Sequence, residues 1–229
     1  TGSGAEGQPF RTVAKALSAQ QNGDRVILEA GEYVETAPLV VQSVEQARLI
    51  CPDRGEAILE PSSFVLAPAS TVAGSLLVRN CPHYVIDGVI VRPPATQGAL
   101  ANPVTACGIL VQESPGALLT DVRIDSWTVS LGANSQARGI YLLGSQHARA
   151  IRCSVTNVLA NCTGVGELVG IALRGGSGQV DQSSVANLTA VNGSVYGYQA
   201  DSTSAAGTSV RFERSFAQHL AVSKAFGPY

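Results

Sequence analysis

Methionine is absent, aromatic residues make up only 5% of the chain, and charged residues only 14%. Each scarcity excludes something. With a formal net charge of −2, there is no electrostatic footprint for nucleic acid or for an anionic membrane. The 45% of residues that are hydrophobic fall in short runs, none near the length of a transmembrane span. Five cysteines show no Cys-x-x-Cys spacing and no zinc signature. At least one must stay unpaired. Cys153 aligns with inward positions and is expected as a buried thiol, while Cys51, Cys81, Cys107 and Cys162 remain free to pair. A start at Thr1 without Met fits either a processed mature form, its secretory signal removed, or a trimmed piece.

What is abundant is Gly, Ala, Ser and Val, and they repeat. Gly108-Ile109-Leu110-Val111, Gly139-Ile140-Tyr141-Leu142 and Gly170-Ile171-Ala172-Leu173 recur with a period of 31. Ile124, Val155, Val185 and Phe216 follow at steps of 31, 30 and 31, each with a small polar residue two places on: Ser126, Asn157, Asn187, Gln218. Leu76-Leu77-Val78-Arg79 aligns on Ile109-Leu110-Val111-Gln112. A fixed period of this length marks a stacked architecture. The runs are β-branched with period-two alternation and no unit carries a helical pattern, so the coils are built from strands. The expected fold is all-β, a right-handed parallel β-helix. Ile109, Ile140 and Ile171 would form one buried column and Ile124, Val155, Val185 and Phe216 another. Asn157 over Asn187, with Gln218 beyond, would form an amide ladder, the alternative being solvated turn residues.

In chain order, residues 9–17 carry Phe10, Val13, Ala14 and Leu17 at helical spacing, with Pro9 in front. They predict an N-terminal α-helix capping the open end of the sheets. One domain spans 1–229: entry segment and cap over 1–25, coils over 26–220, a tail over 221–229. Segments 92–106, 128–138, 159–169 and 189–199 read as loops leaving one corner and building a single wall, the place for a site. Three sequons begin at Asn161, Asn187 and Asn192, though Asn187 is better used in the ladder.

Gly7-Gln8-Pro9-Phe10-Arg11-Thr12-Val13-Ala14-Lys15-Ala16-Leu17, Gly23-Asp24-Arg25-Val26-Ile27-Leu28 and Ala30-Gly31-Glu32-Tyr33-Val34-Glu35 resemble the entry segment of the pectin-lyase-like superfamily. The resemblance implies the same β-helix, an extracellular or cell-surface setting, and a polysaccharide partner; it says less about activity. Uronate lyases of that fold use a cation or Ca²⁺ and an Arg or Lys base. On that pattern Asp87, Asp121, Asp125 and Asp181 offer carboxylates on strands. Arg152 and Arg123 with Asp121 are the candidate catalytic group. Asp121 and Arg152 align one coil apart, so a plain cross-coil ion pair is the alternative. No cluster of acids has Ca²⁺-ligand spacing, and the polygalacturonase and pectin methylesterase motifs are missing. Trp127, Tyr196 and Tyr198 would stack on sugar rings or else anchor loops, with His147 beside them at a turn. The other function class is a non-catalytic structural or adhesive module. Its bare C-terminal end would stack on another copy, unless Phe226 and Tyr229 fold back over it.

Overall fold

The computed structural model describes residues 4, 9–67, 70–96, 104–201 and 209–223. They wind into a parallel β-helix whose coils have three walls. The first wall contains Leu39–Gln42, Val72–Arg79, Thr105–Gln112 and Gln136–Leu143, and the second contains Arg25–Ile27, Arg48–Ile50, Val85–Asp87, Leu118–Thr120, Ala148–Ile151, Gly178–Asp181 and Val210–Glu213. The third contains Gly31–Glu35, Ala57–Pro61, Val89–Val91, Arg123–Leu131 and Phe216–Ser223. Strands Ser154–Arg174 and Ser184–Asp201 run unbroken from the third wall around a corner into the first. They join those two walls into one sheet.

The repeat is a stacking register. Leu76 pairs with Ile109, Ile109 with Ile140, Ile140 with Ile171 and Ile171 with Tyr198. The four aliphatic members are 0% exposed. Ile124, Val155 and Val185 stack likewise inside the third wall. Phe216 does not join them. Val185 pairs with Ala217, and Phe216 sits one place back over Ser184, 56% exposed. One extra residue in the last coil shifts the register, and a one-residue slip in a strand reverses inside and outside. The polar ladder moves with it. Ser126, Asn157, Asn187 and His219, not Gln218, occupy the left-handed positions with φ of 52–57°. Asn157 Nδ2 donates to Asp125 Oδ1 (2.9 Å) and Asn187 Nδ2 to Asn157 Oδ1 (3.0 Å).

The glycines of the repeat make the bend. A Cβ on Gly139 would lie 2.5 Å from Val155 Cγ1 and 2.7 Å from the Gly170 carbonyl oxygen. The chain turns inward here, against its own third wall, and only a residue without a side chain fits.

Segments 128–138, 159–169 and 189–199 are not free loops. Thr128 pairs with Leu159 and Leu159 with Thr189, and the ladder resumes from Gly166 over Gly193 after an irregularity between Asn161 and Gly166. The wall they form is sheet. Their apolar members Val129, Ala160, Leu168 and Ala190 are fully buried. Of segment 92–106, Thr105 and Ala106 begin a strand, and 97–103 lie outside the described residues, as do Phe226 and Tyr229.

A helix caps the N-terminal end, but it covers Val13–Ala19, starting later than residues 9–17 suggest, with Thr12 as N-cap. Val13, Ala14 and Leu17 close the core. Buried Glu35 accepts the amide hydrogens of Val13 (2.6 Å) and Ala14 (3.2 Å), so its carboxylate satisfies two donors at the helix start.

The five cysteines are all free and buried. Two of them top hydroxyl ladders at the corners. The Cys81 amide donates to Ser114 Oγ (3.0 Å), the Ser114 amide to Ser145 Oγ (3.1 Å) and the His147 amide to Ser177 Oγ (3.1 Å). The Cys153 amide donates to Ser183 Oγ and the Ser183 amide to Ser215 Oγ. Burial pushes the Cys153 thiol up to about 12, with backbone hydrogen bonds opposing.

Two substitutions test the stack. Ile140→Asp places an unpaired charge in the core and should prevent folding, seen as loss of the β signal in circular dichroism. Gly139→Ala should fold but lose about 1–3 kcal/mol in denaturant unfolding, because the added methyl must displace Val155 or the next coil.

Candidate functional site

The three candidate catalytic residues separate into two places. Asp121 and Arg152 meet at the corner between the second and third walls, in consecutive coils and both in the left-handed region (φ 54° and 52°). Arg152 donates to Asp121 through Nε (2.8 Å) and Nη2 (2.7 Å), and Arg54 Nη1 approaches the same carboxylate at 2.9 Å. Hydrogen bonds from Arg152 hold the Asp121 carboxyl below the ordinary carboxylate range, helped by the charges of both arginines. The same contacts hold Arg152 more firmly protonated. A guanidinium fixed in this way is a poor proton acceptor. Arg123 lies on the third wall, exposed, paired between Ile90 and Ser154.

The aromatics also divide. Trp127 is 0% exposed, its ring centroid 5.9 Å from that of Phe64, so no face is open to a sugar. Tyr198 continues the Ile109 column and closes the core at its C-terminal end, donating to the Ser183 and Phe216 carbonyls and packing on Phe212. Burial raises its hydroxyl to about 12. His147 is an exposed turn residue near Ser177 Oγ (3.4 Å). Of the four, Tyr196 is the one on an outer wall with its ring open, 46% exposed.

Tyr196 borders a polar cavity of about 300 Å³ on the outside of the first wall, together with Asn134, Ser135, Gln136, Gly166 and Glu167. Gln136 and Glu167, two of its lining residues, pair across coils, and Gln199, outside the lining, reaches the same carboxylate. Gln136 Nε2 donates to Glu167 Oε2 (3.0 Å) and Gln199 Nε2 to Glu167 Oε1 (2.5 Å). Beside it, Arg138 is 3% exposed, donates to Gln136 Oε1 (2.8 Å) and lies 4.1 Å over the Tyr141 ring. Tyr141, Leu110, Leu77 and Ala172 face outward yet are buried, in a second apolar cluster that also holds Cys107 and Val169. Burial drives the Cys107 thiol up to about 12, against the pull of Arg138.

Sequence reasoning passed over Gln136, Glu167 and Gln199. A signal existed: Thr105, Gln136 and Glu167 share the 31-residue period, each three places before a repeat glycine.

The carboxylates do not assemble a Ca²⁺ site. Asp121 is taken by Arg152 and Arg54, Asp125 by Thr156 and Asn157, and Asp181 by Arg214. Among the described residues, no group of three or more His, Cys, Asp or Glu is placed to hold a metal.

The structure is the capped parallel β-helix that the repeat and the entry segment predict. No protein-family model and no curated protein matches the sequence. Solved structures similar to it include a pectin methylesterase from Yersinia enterocolitica, at 12% identity and TM-score 0.47, covering 95% of each chain. A GH136 lacto-N-biosidase from Eubacterium ramulus follows at 9% and 0.45, covering 96% of this chain and 58% of the other. A PL6 alginate lyase in complex with a trisaccharide stands at 8% and 0.39, covering 80% and 50%. None of them supplies a residue role here. No helix of the described residues is long and apolar enough to cross a membrane.

The corner pair makes a pH prediction. A carboxyl held low in the folded state stabilises above its unfolded pKa, and that contribution is lost as pH falls through the folded value. Asp121→Asn should therefore be less stable than the parent at pH 7, and the gap should close below about pH 4, read as melting temperature against pH. It should leave any glycan binding unchanged.

Proposed function

We propose that this is a polysaccharide-directed β-helix protein that holds a glycan along the outside of its first wall, acting outside the cell or at its surface. The observation that supports this is the cavity that Gln136 and Glu167 share with the open ring of Tyr196, where Gln199 also bonds to Glu167. Glu167 spends one oxygen on each amide, and a carboxylate has lone pairs left to accept sugar hydroxyls. The amides fix its orientation, and the tyrosine ring offers an apolar face to pyranose C–H groups. A fixed negative charge at the centre favours neutral or esterified sugars over uronates. Of the two candidate bases Arg152 is committed to Asp121, and Arg123 stands on the third wall, away from the cavity beside Tyr196; binding is the role this cavity supports.

Affinity electrophoresis through gels of xylan, galactan and esterified pectin tests it. Retardation by at least one polymer is expected. Tyr196→Ala should weaken it about fivefold to tenfold, the worth of one aromatic contact, with the melting temperature unchanged. Unsaturated product absorbing in the ultraviolet from pectate or alginate, lost in Arg123→Ala or Arg152→Ala, would overturn the binding role in favour of a lyase.

A second reading has its own support. Phe212 (39%), Phe216 (56%), Leu220 (39%) and Val222 (56%) are exposed together on the last strands, as an end-to-end contact between copies would require. Concentration-dependent light scattering that Phe216→Ser abolishes is the expected sign of it; a monomer at high concentration rules it out.

A further inference from the structure

The second wall carries an unusual outer column. Arg25 pairs directly with Arg48 in the next coil, and the column continues through Val85 and Leu118 to Arg149. Like charges set opposite one another on neighbouring strands repel. Both guanidiniums are exposed, and neither takes part in the ion pairs that hold Arg54, Arg92, Arg152, Arg174, Arg211 and Arg214. With Gly23, Gln46 and His83 they bound a cavity of about 430 Å³.

The backbone beneath is fixed. The Arg48 carbonyl accepts Gln20 Nε2 (2.8 Å), and Gln20 Oε1 accepts the buried Tyr84 hydroxyl (3.0 Å). The Gly23 amide donates to the Glu45 carbonyl, and the Gln46 amide to the Pro82 carbonyl. The nearest acid in sequence, Asp24, turns its carboxylate to the Gln21 amide (2.8 Å). Two exposed arginines thus stand side by side, in none of the ion pairs, on a hydrogen-bonded part of the fold.

We propose that this cavity is an anion subsite for an acidic polysaccharide, gripping carboxylate or sulfate-ester groups borne on successive sugars. Guanidiniums bind both groups through paired N–H donors. The arginines repeat with the coil, about 4.8 Å apart, close to the advance of one sugar ring in an extended chain. A polymer carrying anions at that spacing gives each arginine its own partner, whereas a lone anion leaves the pair to share one. Gln46 and His83 add side-chain donors at the rim. The site lies on a different wall from Tyr196 and does not depend on the role given to that residue.

The full chain is run by affinity electrophoresis in polygalacturonate, in a sulfated glycosaminoglycan and in neutral xylan, with inorganic sulfate and duplex DNA as competitors. Retardation by at least one acidic polymer is expected. Arg25→Gln with Arg48→Gln should weaken it about tenfold, and His83→Ala less. Both arginines are exposed and repel each other, so the double variant should melt no lower than the parent. Tyr196→Ala and Lys15→Gln, the latter removing the same charge from the cap helix, should leave acidic-polymer retention unchanged. Retention that survives the double variant overturns the proposal, as does an equal loss with Lys15→Gln. Full competition by inorganic sulfate at matched charge would show a site for free anions and sink the polymer claim. Equal competition by DNA would sink it too, as mere polyanion attraction.

Discussion

Everything in this fold depends on how closely the chain can approach itself where the third wall turns into the first. Gly108, Gly139, Gly170 and Gly197 stand at that bend in successive coils, each against the apolar column of the third wall. With the bend fixed, strands Ser154–Arg174 and Ser184–Asp201 pass it without interruption, and the two walls share one ladder. Three places ahead of Gly139 and Gly170, Gln136 and Glu167 fall in register on the outer surface of the first wall. The polar pair is therefore a by-product of the same spacing that stacks the core. A slip at the glycines would misplace the site together with the isoleucine column.

Much of this could be read from the sequence because stacking turns period into contact. The columns of Ile109 and Val155 stand where the periodicity puts them through Val185, and the amphipathic spacing near the N-terminus does give a cap helix, though over Val13–Ala19. The failures have physical causes. Asn161-Cys162-Thr163-Gly164 and Asn192-Gly193-Ser194 have the composition of loops, and isolated they would be loops. Here neighbouring coils provide strand partners, on both edges at Asn161 and on one edge at Gly193 and Ser194, and tertiary pairing overrides local preference. Phe216 was misplaced because one added residue in the last coil breaks the count. Trp127 and Tyr198 look alike in sequence to Tyr196, and only alternation at an unseen bend decides which of them faces in.

The charges sort along the same lines. Carboxylates and arginines at the corner after the second wall meet as pairs, Asp121 with Arg152 and Asp181 with Arg214, because that turn aims both side chains along the axis. They tie coil to coil at the surface, where screening keeps their contribution modest. Arg25 and Arg48 stand on a flat strand instead, project straight outward, and stay apart from those pairs.

The hydroxyl ladders at the corners have a direction. In every one of these bonds the backbone donor belongs to one coil and the serine oxygen to the coil after it. A chain synthesised from its N-terminus lays down each donor about thirty residues ahead of its acceptor, so each coil waits on its successor to be satisfied. Duplicating a coil in tandem brings a donor and an acceptor together and leaves no orphan. Deleting the last one strips the hydroxyl from the one before. Such a solenoid lengthens easily over evolutionary time and sheds length from its C-terminal side only at a cost to the coil that remains.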